Sequence, residues 1–310
     1  MKAVFLDRST IDPSISLAPI SALVTEYVEY DLTSREQTLE RVLDANIIIT
    51  NKVVVDSELI SQLPKLELIC ITATGMNNVD LNAAEKNNIA VKNVSGYSTQ
   101  SVTQHVFTYL LNAVSNVPAY LKNTNENPWQ ESQKFCQIDF PINELNGQKL
   151  GILGFGNLGQ SVAKVAEAFG MQVVISERPG EKTIRSGRVS FETMLKLSDV
   201  ISLHCPLTDE NEGLFDDKVF SQMKDGVIFI NSARGPIVDS KALADALRSG
   251  KIAHAIVDVL EQEPPPRSHP LVQTDIPNLT LTHHIAWGSL QAQRVLIENV
   301  ATNIENFINR

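Results

Sequence analysis

"KLGILGFGNLGQ", Lys149–Gln160, runs as an apolar strand into three glycines and leaves them as the start of a helix. Gly154, Gly156 and Gly159 stand in GxGxxG spacing, a pattern that a chain of this length and ordinary glycine content shows by chance about one time in ten. Its flanks are what give it weight: "KLGIL" precedes it, and "SVAKVAEAFG" follows as a helix ending at Gly170. In that setting the first glycine permits a tight turn, the second lets backbone approach a pyrophosphate, and the third lets the helix pack closely. The helix N-terminus then offers N–H donors and the positive end of its dipole to phosphate. The stretch therefore predicts a dinucleotide-binding βαβ unit; the alternative is a set of turn glycines with a solvated acid at the next strand end.

That acid is Glu177, after the strand "MQVVIS" and eighteen residues beyond Gly159. A carboxylate there accepts hydrogen bonds from adenosine ribose hydroxyls and repels a 2′-phosphate, which favours NAD over NADP, although Arg178 next door pulls the other way. Further strand ends carry further polar groups, and ligands of open parallel sheets lie beyond the carboxyl ends of strands. "LHCPLTDENEGLF" ends a strand at His204, Cys205 and Pro206, a turn expected to line the adenine and ribose pocket. Nothing near Cys205 in sequence would lower its pKa and make it a nucleophile. "FINSARGPIVD" sets Asn231, Ser232, Ala233 and Arg234 directly after a strand. A guanidinium there can bind a carboxylate or polarise a carbonyl, the alternative being a surface salt bridge. "AIVDVLEQEPPP" puts Asp258 at an apolar strand end, where a charge is costly unless partnered, and Glu263 just before a proline run. One of the two is a candidate orienting partner for a histidine.

"LTLTHHIAWG", Leu279–Gly288, offers the histidines. On an extended strand His283 and His284 point to opposite faces, so they are poorly placed to chelate one ion, and no metal is expected. If the strand persists, His284 shares the face of Thr280 and Thr282, and periodicity alone does not say which face does chemistry.

Elsewhere, short β-rich runs alternate with helix-length segments, the pattern of parallel sheets covered by helices. "KAVFL", "ANIIIT", "LELICIT" and "IAVKNV" are strands of a first doubly wound unit, with helices over "SREQTLERVLD" and "DLNAAEKNN". A single helix is expected over Ser101–Leu121 and an irregular arm or loop over Lys122–Phe140. A second series follows from Lys149, through "DVISLHC", "GVIFINS", "HAIVDV" and "LTLTH". A last helix covers Leu290–Ile308.

The net charge of −10 and the absence of a basic run argue against nucleic acid as a partner. The four-residue apolar run before Asp7 is too short for a signal peptide, and no stretch approaches a membrane span. Three cysteines, Cys70, Cys136 and Cys205, form no CxxC pair. The expectation is a cytoplasmic protein with neither a disulfide framework nor a thiolate metal site.

Taken together, "ATGMNNVDL", "SVTQHV", "LGILGFGNLGQSVA", "LHCPLT", "INSARGPIVD", "VDVLEQEP" and "HIAW" resemble the D-isomer-specific 2-hydroxyacid dehydrogenase family, in order, from about residue 66 onward. "W....FC" from Trp129 and "HIAW" look most like its glycerate dehydrogenase, or hydroxypyruvate reductase, branch. The resemblance implies an α/β fold of two doubly wound parallel-sheet domains with a cleft between them. A flavodoxin-like substrate domain would comprise residues 1–99 and 288–310, and a Rossmann NAD-binding domain residues 100–287. It also implies roles. Arg234 falls on the substrate-binding arginine, Glu263 on the acidic partner and His284 on the acid-base histidine. Thr74 and Gly75 fall where backbone amides receive the substrate carboxylate. Asn157 and Leu158 fall on the phosphate turn, and Glu177 replaces the usual aspartate at the ribose. Thr103, Ser232, Ala233, Asp258 and Trp287 join the cofactor set.

Two departures stand out: His283 replaces a usual proline, and Gln104 a common glutamate. The implied activity is NAD(H)-dependent reversible hydride transfer to a small 2-oxo acid such as hydroxypyruvate or glyoxylate, in a homodimer. The competing readings are a short 3-phosphoglycerate dehydrogenase and a non-catalytic, corepressor-like NAD sensor. Arg234, Glu263 and His284 together favour the enzyme.

Overall fold

The computed structural model describes residues 1–126, 129–273 and 275–310. The chain divides into two compact units, Met1–Ser98 with Gly288–Arg310, and Thr99–Trp287.

The first unit is built on β1 (Lys2–Phe5), β2 (Glu26–Glu29), β3 (Ile47–Thr50), β4 (Leu68–Ile71) and β5 (Ala90–Lys92). They form one parallel sheet in the order β2-β1-β3-β4-β5. β3 and β4, "IIIT" and "LICI", are buried at every position, as central parallel strands covered on both faces must be. β2, "EYVE", is an edge strand with exposed glutamates at both ends, which is why apolar alternation did not reveal it. The covering helices are α1 (Ala18–Ser21), α2 (Arg35–Val42), α3 (Ser57–Ile60) and α4 (Leu81–Lys86). Asp56 and Asp80 start α3 and α4 by accepting the backbone N–H groups of Leu59 and Ala83, both at 2.9 Å. The last helix of the chain, Leu290–Ile308, belongs to this unit and buries Leu296, Ile297, Val300 and Ile304.

The second unit opens with α5 (Thr99–Val114) and α6 (Val117–Glu126). The single helix expected over Ser101–Leu121 is therefore two. Asn116 takes a left-handed φ of 49°, which ends the first helix, and Pro118 stands in the first turn of the second, where its missing N–H breaks no helical hydrogen bond. α6 then continues through "NTNE", part of the expected irregular arm; Asn127 and Pro128 of that arm lie outside the described residues.

Next come β6 (Lys149–Leu153), α7 (Asn157–Ala168), β7 (Gln172–Ile175), α8 (Phe191–Leu197), β8 (Val200–Leu203) and α9 (Asp217–Ser221). β9 (Val227–Asn231), α10 (Ser240–Arg248), β10 (Ile252–Val257) and β11 (Leu279–Leu281) follow, and the last helix is α11. The sheet is parallel in the order β11-β10-β9-β8-β6-β7. One face packs on α5 and α7 through Val106, Leu110, Val162 and Ala166. The other is filled by Phe191, Phe215, Phe220 and Phe229. The chain order reverses between β6 and β8, which sets a crevice at their carboxyl ends.

Candidate active site

At that reversal the three glycines do three different things. Gly154 has a φ of +95°, and a Cβ on it would sit 2.5 Å from both Cys205 N and the His204 carbonyl carbon. A Cβ on Gly159 would lie 2.2 Å from Gly154 O, so α7 seats on the turn only with glycine there. Gly156 caps α7 and has nothing within 4 Å, leaving its backbone open to a ligand. Asn157, exposed, is the first residue of the helix, and half-buried Leu158 packs on the core beneath. The first-turn N–H groups and the helix dipole make this end a site for an anion.

Two buried polar atoms on the same sheet edge have no partner among the described residues: His204 Nδ1 and Ser232 Oγ. Such atoms are uncommon, and each costs about 1–3 kcal/mol unless something meets it. His204 follows β8, and its Nε2 lies 2.9 Å from Ser202 Oγ; burial pulls its pKa down to about 4, so the ring is neutral. Ser232 and buried Ala233 follow β9. Open backbone, a helix N-terminus and orphaned polar atoms fit a dinucleotide laid along the edge. Cys205 is half-buried with its thiol pushed up to about 11 by burial, which suits a pocket wall and not a nucleophile; Pro206 beside it is exposed.

Glu177 is buried at the end of β7 and already engaged. Arg185 grips it with Nε at 2.7 Å on Oε2 and Nη2 on Oε1, and Arg178 N donates to Oε1 at 3.1 Å. Those hydrogen bonds hold the carboxyl at about 2. Thr103 is buried in α5, and its hydroxyl bonds Thr99 O at 2.8 Å and Ser161 Oγ of α7 at 2.9 Å.

The remaining chemistry gathers beyond β9, β10 and β11. Asn231, the last residue of β9, braces the turn that follows: its Oδ1 accepts from Ala233 N at 3.0 Å and its Nδ2 donates to Arg234 O at 3.0 Å. Arg234 is half-buried, and its Nη1 donates to Ala233 O at 2.6 Å. A Cβ on the next residue, Gly235, would fall 1.9 Å from the Leu260 carbonyl carbon. Only glycine allows the Arg234 turn to lie against the segment that carries Glu263. Glu263 Oε1 accepts from Leu260 N at 2.8 Å, and Oε2 meets His284 Nδ1 at 2.6 Å. With Nδ1 committed to a carboxylate, Nε2 is the nitrogen left for a reacting group.

β11 ends at Leu281, so the alternation argument does not reach the histidines. His284 has a left-handed φ of 55°, and His283 is exposed. The turn is held by Asp258, the first residue past β10. Its carboxylate accepts from Ile285 N, Ala286 N and Thr282 Oγ1 at 2.9, 2.9 and 2.6 Å, and its carbonyl accepts from His284 N at 2.9 Å. Of the two carboxylates that sequence reasoning left open, Glu263 meets the imidazole and Asp258 holds the backbone that presents it. Trp287 Nε1 donates to His284 O at 2.9 Å.

In the first unit, Thr74 and Gly75 follow β4. Thr74 Oγ1 donates to Val94 O at 2.9 Å, and Asn93 Nδ2 donates to Thr74 O at 2.6 Å. Among the described residues no His, Cys, Asp and Glu cluster could hold a metal, and no helix is long and apolar enough to cross a membrane. Sequence reasoning missed Arg185, Thr282 and His105, whose Nε2 lies 3.3 Å from Thr282 Oγ1. None of the three was given a role there, and only the fold brings each to its partner.

Residues 107–286 match the model of the D-isomer specific 2-hydroxyacid dehydrogenase NAD binding domain. A Haemophilus influenzae protein, assigned provisionally by its name to the 2-hydroxyacid dehydrogenases, is 44% identical over 100% of this chain and 99% of its own. A glycerate dehydrogenase of Methylorubrum extorquens is 38% identical over 99% of this chain and 96% of its own. The crystal structure of the TT0316 protein of Thermus thermophilus is similar at 29% identity and a TM-score of 0.87, covering 100% of this chain and 97% of that one.

Proposed function

Because this chain belongs to the D-isomer-specific 2-hydroxyacid dehydrogenase family and is therefore an NAD-dependent oxidoreductase acting on CH–OH groups, we propose that it reduces a small 2-oxo acid, hydroxypyruvate or glyoxylate, to the 2-hydroxy acid, reversibly. The observation that carries the mechanism is the 2.6 Å contact between His284 Nδ1 and Glu263 Oε2. The glycine turn, the α7 N-terminus, His204 and Ser232 would hold NADH, which would supply the hydride equivalent for the carbonyl carbon. Arg234 binds the substrate carboxylate through guanidinium N–H groups not spent on Ala233 O. Protonated His284 gives its Nε2 proton to the carbonyl oxygen as that oxygen gains negative charge, so carbon receives hydride and oxygen a proton. Glu263 keeps Nδ1–H oriented and stabilises the imidazolium before transfer. In the first unit, the backbone amides of Thr74 and Gly75 are the candidates for substrate contact. The glycerate dehydrogenase relative supports hydroxypyruvate.

The test is direct. Purified protein with NADH and either acid should lose the nicotinamide absorbance in proportion to 2-hydroxy acid formed. Turnover of neither acid, with another 2-oxo acid accepted, would move the substrate assignment.

We further assign a homodimer built through the nucleotide-binding unit, in and beside the arm of residues 122–140. Leu121, Trp129, Phe135, Ile138 and Ile142 are exposed there, Phe135 by 93%, an unusual run of large apolar side chains facing water. Sedimentation should give twice the chain mass of 34.1 kDa, and a monomer at micromolar concentration would contradict it. A cytoplasmic location suits three cysteines that are all free thiols.

A further inference from the structure

The end of β7 does not present a free acid. The Glu177 side chain is 2% exposed, and both its oxygens are taken, by Arg178 N and by the inner edge of the Arg185 guanidinium, Nε and Nη2. A ribose hydroxyl would have to displace Arg185 to reach it. Arg185 itself is 56% exposed. A guanidinium has five N–H donors. With Nε and one Nη2 hydrogen spent on Glu177, its outer edge, Nη1 and the second Nη2 hydrogen, is left as a fork in water. That geometry suits a phosphate's paired oxygens.

Glu177 thus fixes the arginine by its back edge and turns the front edge outward. Arg178 is exposed beside it, and Arg188, half-buried, donates to Ser176 O at 3.3 Å. Two exposed acids face these cations, Glu181 toward Arg185 and Glu210 toward Arg178. They weaken the positive field, so recognition rests on the aimed fork more than on net charge.

We propose that Arg185, anchored by Glu177, binds the 2′-phosphate of NADP(H), so that the enzyme takes the phosphorylated cofactor as well as NAD(H). The inference rests on the reading of the glycine turn as the pyrophosphate site, which puts the end of β7 at the adenosine ribose. An acid at this position ordinarily repels a 2′-phosphate; here its charge is neutralised and its lone pairs are spent.

The test is equilibrium binding of 5′-AMP and 2′,5′-ADP, which differ only in the 2′-phosphate, to the intact protein at low salt. The wild type should bind 2′,5′-ADP at least about tenfold tighter, the size expected of one charge-assisted fork. Arg185→Leu, which frees the Glu177 carboxylate, should abolish or reverse the preference, with 5′-AMP bound at least as tightly as by the wild type, which also shows that the variant is folded. Arg185→Lys, with charge but no fork, should fall between. In turnover, NADPH should serve the wild type and be lost selectively in Arg185→Leu. Equal binding of the two ligands by the wild type, with 5′-AMP bound normally, overturns the proposal and leaves the proposed function standing. Failure of both ligands to bind overturns the proposal together with the dinucleotide reading beneath it.

Discussion

His284 is a non-glycine residue in left-handed backbone, a conformation that costs about 1–3 kcal/mol and persists only where surrounding contacts over-determine it. The contacts are those of Asp258, which bonds the backbone of three successive residues, His284, Ile285 and Ala286. Asp258→Ala leaves two N–H groups without acceptors, each worth about 1–3 kcal/mol if it stays buried. It should lower Tm by several degrees and lower kcat/KM more than Asp258→Asn, which keeps an acceptor oxygen. Calorimetry with steady-state kinetics checks this, and wild-type kinetics in Asp258→Ala would contradict it.

Glu177 gives a pH signature. Its carboxyl sits at about 2, against an ordinary 4.5, so it stabilises the fold above pH 4.5, and that contribution disappears as pH falls toward 2. The Tm difference between wild type and Glu177→Gln should therefore be largest near neutrality and shrink between pH 4.5 and 2. A difference independent of pH would contradict it.

Among the elements, glycines set how closely segments approach, and they differ in how far sequence reveals them. The roles of Gly154, Gly156 and Gly159 were readable because strand, spacing and helix all appear in one stretch. Gly235 was readable only as part of a turn. Its close approach to Leu260 joins segments 25 residues apart, and no local pattern encodes that. Gly235→Ala should displace the Arg234 turn from the Glu263 segment, costing about 1–3 kcal/mol of stability and raising KM for the 2-oxo acid. Unchanged KM and Tm would show the contact to be slack. Central strands such as "IIIT" and "VISL" announced themselves as continuous apolar runs. β2 did not, because an edge strand needs little apolar surface. The break between α5 and α6 was hidden by apolar spacing that continues through Asn116 and Pro118, where backbone geometry overrides periodicity.

For the whole molecule, sheet order places the chemistry. In the second unit the glycine turn, His204, Ser232, Arg234, Asp258 and His284 come from five different strand ends, yet all lie at one edge because the strands are parallel. Sequence reading named these as candidates because each lies at or just past the end of a strand, and the family resemblance chose His284 over His283. The residues alone did not tell the task of Asp258 from that of Glu263, since both sit in one segment; the family resemblance pointed to Glu263 as the acidic partner, and the backbone path gives Asp258 its own task of holding the His284 turn. The central claim is that His284, oriented by Glu263, delivers the proton that accompanies hydride transfer. The measurement that tests it most directly is kcat/KM for hydroxypyruvate with saturating NADH in wild type and His284→Ala, with cofactor binding measured in both. The account predicts a loss of about 10² to 10⁴ in kcat/KM with NADH affinity nearly unchanged. Full activity in His284→Ala would contradict it.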